Sequence, residues 1–154
     1  MLSLARGERM KPRWIVCEDG DEYLTRFSRF LGDRFEFTPA SDLSGALAAA
    51  PGAQGLLLDL DFRRTDPARL VDESGAAQAQ RAAGERARLS EVQGILILRA
   101  LRSRGVRLPA LLCADLDDAE RTARLQSDLA PLEIVPGSEG VFAIAERMRR
   151  AAGR

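Results

Sequence analysis

The chain has 154 residues, 23 Lys+Arg against 23 Asp+Glu, 45% hydrophobic and 5% aromatic residues, which suits one domain with one sizeable core. A formal net charge of zero argues against a general polyanion binder. The absence of histidine excludes a His-based triad, a His general base, a His-ligated metal and a phosphohistidine donor.

Residues 1–12 read as a flexible leader. Trp14-Ile15-Val16-Cys17 is a short apolar run between Pro12 and the acidic cluster Glu18-Asp19-Gly20-Asp21. It predicts a buried strand ending in a loop. Tyr23, Leu24, Phe27, Phe30 and Leu31 share one face of a helix that Gly32 stops. Phe35-Glu36-Phe37-Thr38 alternates and predicts a second strand, closed by Pro39. Ser41 is the expected cap of a helix running through Ala50, with Leu43 and Leu47 on its apolar face. Gly55-Leu56-Leu57-Leu58 runs without alternation into Asp59-Leu60-Asp61, the pattern of a strand covered on both faces.

Residues 63–93 break the rhythm. They read as an insertion, partly helical or mobile, whose end merges into the next helix. That helix carries Leu89, Val92, Leu96 and Arg99 at helical spacing, widened by Ile95, Leu98 and Leu101 and stopped at Gly105. Ala110–Ala114 predicts a fourth strand, Asp117–Leu125 a polar helix and Leu132–Val135 a fifth strand. Val141, Ile144, Ala145 and Met148 mark a last amphipathic helix.

Five strands alternating with five helices imply an α/β fold with a parallel sheet and helices on both faces. Ligands in such sheets bind beyond the carboxyl ends of the strands. Glu18 and Asp19 follow the first strand, Asp59 and Asp61 the third. If those strands are neighbours, Glu18, Asp19 and Asp59 converge, and their repulsion calls for a cation, most naturally Mg²⁺. The plain alternative is solvated loop-end acids. Cys17 and Cys113 lie in apolar runs and read as buried free thiols; two cysteines alone do not build a zinc site. Nothing resembles a secretory signal, and the apolar runs fall far short of a span of roughly 20 residues. The expected location is the cytoplasm, with no membrane partner.

From Arg13 to Ala152 the chain resembles the receiver domain of bacterial response regulators. Ile15-Val16-Cys17-Glu18-Asp19 resembles the family's first strand and acidic pair. Leu56-Leu57-Leu58-Asp59 resembles its third strand and phosphoacceptor. Gly94–Arg102 resembles the start of its third helix, Leu108–Ala114 its fourth strand, and Val135-Pro136 its Lys-Pro step. The resemblance implies a doubly wound, five-stranded CheY-like sheet of order 2-1-3-4-5. It implies one domain over 13–154, with 63–93 inserted after the third strand. It also implies Mg²⁺ on Glu18, Asp19 and Asp59, and phosphotransfer from a histidine kinase to Asp59.

Three departures set this chain apart. The family's lysine aligns with Val135, and Lys11, before the first strand, is the sole lysine. A charge-assisted contact to phosphate is thereby lost. The switch hydroxyl aligns with Cys113, whose thiol is a weak donor. The switch aromatic falls near Glu133. The insertion adds Arg63 and Arg64 beside the site; either a solvated loop pair or arginines that neutralise the acidic pocket without metal.

These features point to a non-enzymatic pseudo-receiver: a signalling adaptor acting through a protein partner or a second copy of itself. No cofactor is required, with Mg²⁺ the ion the acids would hold. A working regulator phosphorylated on Asp59 is the alternative. A haloacid-dehalogenase-type phosphatase, with Asp59 as nucleophile and Asp61 as acid/base, is the enzyme reading. Arg147, Arg149 and Arg150 mark the last helix as a docking face or a solvated one. Direct nucleic-acid contact is not expected, since no DNA-binding module follows.

Overall fold

The apolar runs pair side by side into one sheet. The computed structural model describes residues 10–153, so most of the expected leader lies outside the described residues. The strands are β1 (Arg13–Cys17), β2 (Glu36–Ala40), β3 (Gly55–Asp59), β4 (Ala110–Cys113) and β5 (Leu132–Val135). All pair in parallel, in the order β2-β1-β3-β4-β5. The expected doubly wound α/β sheet and its strand order are therefore present. The helices among the described residues are α1 (Glu22–Leu31), α2 (Leu43–Ala49), α3 (Ala83–Glu91), α4 (Gln93–Ser103), α5 (Ala119–Asp128) and α6 (Val141–Ala152). None is long and apolar enough to cross a membrane.

Strand alternation sorts the core into two layers. Ile15, Cys17, Leu56, Leu58, Ala110 and Leu112 face α2, α4 and α5. Trp14, Val16, Leu57, Leu111 and Cys113 face α1 and α6, packing on Phe27, Leu31, Ile144 and Met148. Each layer excludes water from one face of the central strands. That explains why β3 reads as a continuous apolar run rather than an alternating one.

Local differences from the expected elements have physical causes. β2 runs through Pro39 instead of stopping before it, because β2 is an edge strand with only β1 beside it and one side needs no N–H. Asp42, not Ser41, caps α2: its carboxylate accepts from the Gly45 N–H at 2.7 Å. Among the described residues there are six helices rather than five. The continuous stripe from Leu89 to Leu101 is broken at Val92, whose φ of −124° ends α3 before α4 begins.

Residues 63–93 form an ordered strap with its own anchors. Phe62 is fully buried at its entry, and its N–H donates to the Ser90 carbonyl at 2.8 Å. A 3₁₀ turn covers Pro67–Arg69. Val71 meets Ala77 in an isolated antiparallel bridge. The buried Gln93 amide accepts from the Val71 N–H at 2.9 Å and donates to the Val71 carbonyl at 3.1 Å. The Arg81 guanidinium is buried against the strap, donating to the Leu70 and Ala76 carbonyls and pairing with Asp72. These polar side chains replace secondary structure in satisfying strap backbone groups that would otherwise be buried without partners.

Candidate functional site

The order β2-β1-β3 places the reversal of chain winding between β1 and β3, the point where doubly wound sheets leave a crevice beyond their strand ends. Glu18 and Asp19 leave β1 there, and Asp59 ends β3. The register continues the line: Asp59 is level with Cys113, and Cys113 with Val135. The positions level with Asp59 are therefore Cys113 on β4 and Val135 on β5.

The three acids reach this end with different partners. Glu18 is buried. Its carboxylate accepts from the N–H groups of Tyr23 and Leu24 at 3.0 and 2.9 Å. It thus satisfies the first turn of α1, which lacks a side-chain cap from Asp21. Burial raises the Glu18 pKa against the lowering effect of those two amides. Asp19 faces the strap: its two oxygens accept from the Arg64 N–H at 2.9 Å and from Arg64 Nη2 at 3.0 Å. Arg64 also holds Glu22 with both terminal nitrogens, at 2.6 and 2.9 Å, and these bonds lower the Glu22 pKa to about 2. Asp59 accepts from the Leu60 N–H at 2.9 Å. Arg63 turns to Asp61 at 2.7 Å, and Asp61 also accepts from the Arg63 N–H. Of the two arginines flagged in the sequence, Arg64 reaches Asp19 of the acidic pair and Arg63 closes its own turn.

A divalent cation in a receiver pocket needs free carboxylate oxygens from several acids. Here Glu18 serves the α1 backbone and both oxygens of Asp19 are taken by Arg64. Among the described residues no group of three or more Asp, Glu, Cys or His side chains is placed to hold a metal ion. As arranged, the residues do not fit the ion that the resemblance implies.

The β4 and β5 positions are equally distinctive. Cys113 and Cys17 are both free and buried. Burial, then the Asp59 charge, pushes the Cys113 thiol up to about 12, so it stays neutral. Val135 is fully buried. Glu133 is half-buried and pairs with Arg147 of α6 at 3.7 Å; Arg147 also holds Glu139. Arg149 pairs with Glu146 within its own helix. Lys11 donates to the Gly32 carbonyl at 2.9 Å, behind the C-terminus of α1 and at the end of the sheet opposite Asp59.

Asp59 carries the electrostatic cost of this arrangement. Burial, followed by the charges of Asp19, Glu18 and Asp61, raises its pKa to about 6 despite the Leu60 amide. A carboxyl that is more basic folded than unfolded favours the folded state below its unfolded pKa. That contribution is lost as pH rises through about 6. At face value the rise corresponds to about 3 kcal/mol; Asp59 is part-exposed, and solvent screening reduces the expected effect to about 1–2 kcal/mol. Asp59→Asn keeps an acceptor for Leu60 and removes the charge. It is expected to raise the melting temperature at pH 7.5 by about 3–6 °C, with the gain shrinking at pH 4.5. Thermal melts at the two pH values check this, and equal stabilities at pH 7.5 would refute it.

Sequence reasoning missed two participants, Glu22 and Gly20, and did not foresee the bonds from Glu18 to the α1 backbone. Glu22 completes the Arg64 cluster. Gly20 lets the Arg64 guanidinium lie against the backbone, since a Cβ there would overlap Nη2. The density of acids over residues 18–22 was the available trace.

No protein-family model and no curated protein matches the sequence. Solved structures do match its fold. The receiver domain of the Francisella response regulator 1452 superposes with a TM-score of 0.66 at 14% identity, over 94% of this chain and 98% of that one. The receiver domain of NtrX from Brucella abortus gives 0.63 at 15% identity, over 91% and 98%. The BeF3-activated DrrB receiver domain gives 0.63 at 14%, over 94% and 100%. At these identities the likeness is one of architecture. The chain has the fold of a response-regulator receiver domain.

Proposed function

We propose that this chain is a cytoplasmic receiver-like signalling adaptor that works through contact with a protein partner rather than through phosphorylation of Asp59. One observation carries the reading: the positions level with Asp59 on β4 and β5 are Cys113 and Val135. A phosphoryl group there would carry about two negative charges. It would meet a neutral buried thiol and an aliphatic side chain, where charge-assisted donors are needed. The sole lysine is engaged at the far end of the sheet. The sheet end keeps the acceptor and lacks the groups that would read its modification. Asp61, tied into a turn with Arg63, supports the non-enzymatic reading over the phosphatase one.

The test is an amide NMR titration with Mg²⁺ and then beryllofluoride, with Asp59→Asn as control. The expected result is no beryllofluoride-dependent shift at Asp59, Cys113 or the β5 amides. Shifts centred on Asp59 that spread to β5 and vanish in Asp59→Asn would establish a phosphorylation switch instead.

A further inference from the structure

We propose that Arg64 is the built-in cation of the acidic edge: it occupies Asp19 in place of a divalent ion and fastens the 63–93 strap across the ends of β1 and β3. The inference rests on reading this edge as a receiver pocket.

Four observations support it. Arg64 takes both oxygens of Asp19, one with its backbone N–H and one with its guanidinium, so the two contacts are made by one residue and move together. The Asp19 side chain is only 5% exposed, whereas the Arg64 side chain is 57% exposed. The acid is therefore the buried partner and needs a counter-charge, while the arginine needs only to reach in from outside. The same guanidinium binds Glu22 through both of its oxygens, a planar, two-pronged geometry that arginine satisfies and lysine does not. Finally, the strap from Leu70 onward is held independently of Arg64 by Arg81 and Gln93, which leaves the 62–65 segment for Arg64 to fasten. Arg64 is thus presented to Asp19 at high effective concentration and competes well with a cation from solution.

Two consequences follow. The oxygens of Asp19 are closed to external cations while the strap is docked. The loop after β3 and the start of α1 are also tied to each other through one side chain, so releasing Arg64 frees both.

Mn²⁺ titration of the full chain tests the first consequence, followed by paramagnetic line broadening in wild type, Arg64→Gln and the double variant Asp19→Asn/Arg64→Gln. Arg64→Gln is expected to gain at least about tenfold in Mn²⁺ affinity at the Asp59 end, the scale of one charge-assisted contact. The double variant is expected to lose that gain. Equal affinities in wild type and Arg64→Gln, whether measurable or not, would overturn the proposal. Amide hydrogen exchange tests the second: Arg64→Gln should lose protection at residues 62–65 while β3 and β4 keep theirs. Unchanged protection at 62–65 would overturn the fastening role. Retained protection in the sheet also shows that the variant is folded. The proposal and the proposed function fail separately. Beryllofluoride shifts in wild type would end the adaptor reading, and Mn²⁺ affinities that ignore Arg64 would end this one.

Discussion

Gly94→Ala is expected to lower the melting temperature by about 10 °C, at a cost of about 2–4 kcal/mol. Gly94 sits in the first turn of α4 and lies against the end of β3. Its N–H donates to the Leu60 carbonyl at 3.0 Å. A Cβ at this position would overlap the Asp59 carbonyl oxygen, with the Asp59 carbonyl carbon at 3.0 Å and Leu60 Cα at 3.1 Å. All three are backbone atoms, so no rotamer change relieves the overlap. Either α4 or the end of β3 must move, and the second option displaces Asp59. Alanine returns about 1 kcal/mol through its better helix propensity, too little to offset the collision. Gly84→Ala in α3 is the control, because a Cβ there meets nothing within 4 Å. It should be neutral or stabilise by about 0.5–1 kcal/mol. Paired thermal melts decide the matter, and a Gly94→Ala protein as stable as wild type would refute the close approach.

Arg102→Met should cost about 3–4 kcal/mol. Arg102 is buried, has no carboxylate partner among the described residues, and donates to four carbonyls. Nε reaches Leu129 at 3.0 Å, Nη1 reaches Val106 at 3.0 Å and Leu108 at 2.7 Å, and Nη2 reaches Pro131 at 2.8 Å. The guanidinium therefore ties the loop entering β4 to the loop entering β5. Burial, and then the charge of Arg107, lowers its pKa to about 10, so it remains charged at neutral pH. Methionine matches the stem and leaves the carbonyls without donors, and an unmade buried hydrogen bond costs more than a made one contributes. Arg102→Lys should recover only part of the loss, since an ammonium lacks the fork that spans four acceptors. Arg121→Met on the exposed side of α5 should change stability by less than about 0.5 kcal/mol. Urea unfolding of the three variants separates these outcomes. A small loss in Arg102→Met would mean that water replaces the guanidinium.

The two residues differ in how visible they are in the sequence. Gly94 falls in the stretch that resembles the start of a receiver helix, though nothing in its identity says which backbone it touches. Arg102 follows Ile95 by seven residues and Leu98 by four, so it lies on the apolar stripe of α4. A charged residue on such a stripe signals a buried function. Which acceptors meet it depends on two loops far along the chain.

The same division runs through the fold and the site. Apolar runs and their spacing determined the five strands, the two-sided burial of the sheet and the acids at the ends of β1 and β3; the resemblance to receiver domains alone marked Val135 as the place of a missing lysine. These are local properties: water drives the runs inside, and alternation with helices leaves a parallel doubly wound sheet as the economical solution. The tertiary structure alone decided that Pro39 is tolerated on an edge and that Val92 breaks a helix the stripe would have continued. It also decided that residues 63–93 form an ordered strap, through Gln93, Arg81 and Phe62 meeting partners many residues away. Above all, it decided the pairing of the charges. Arg63 and Arg64 are adjacent, equal in charge and near the same acids in sequence, yet one closes a turn on Asp61 and the other holds Asp19. Composition fixes how many charges there are. Only the path of the backbone fixes which of them come within hydrogen-bonding distance, because that interaction changes over a few tenths of an ångström.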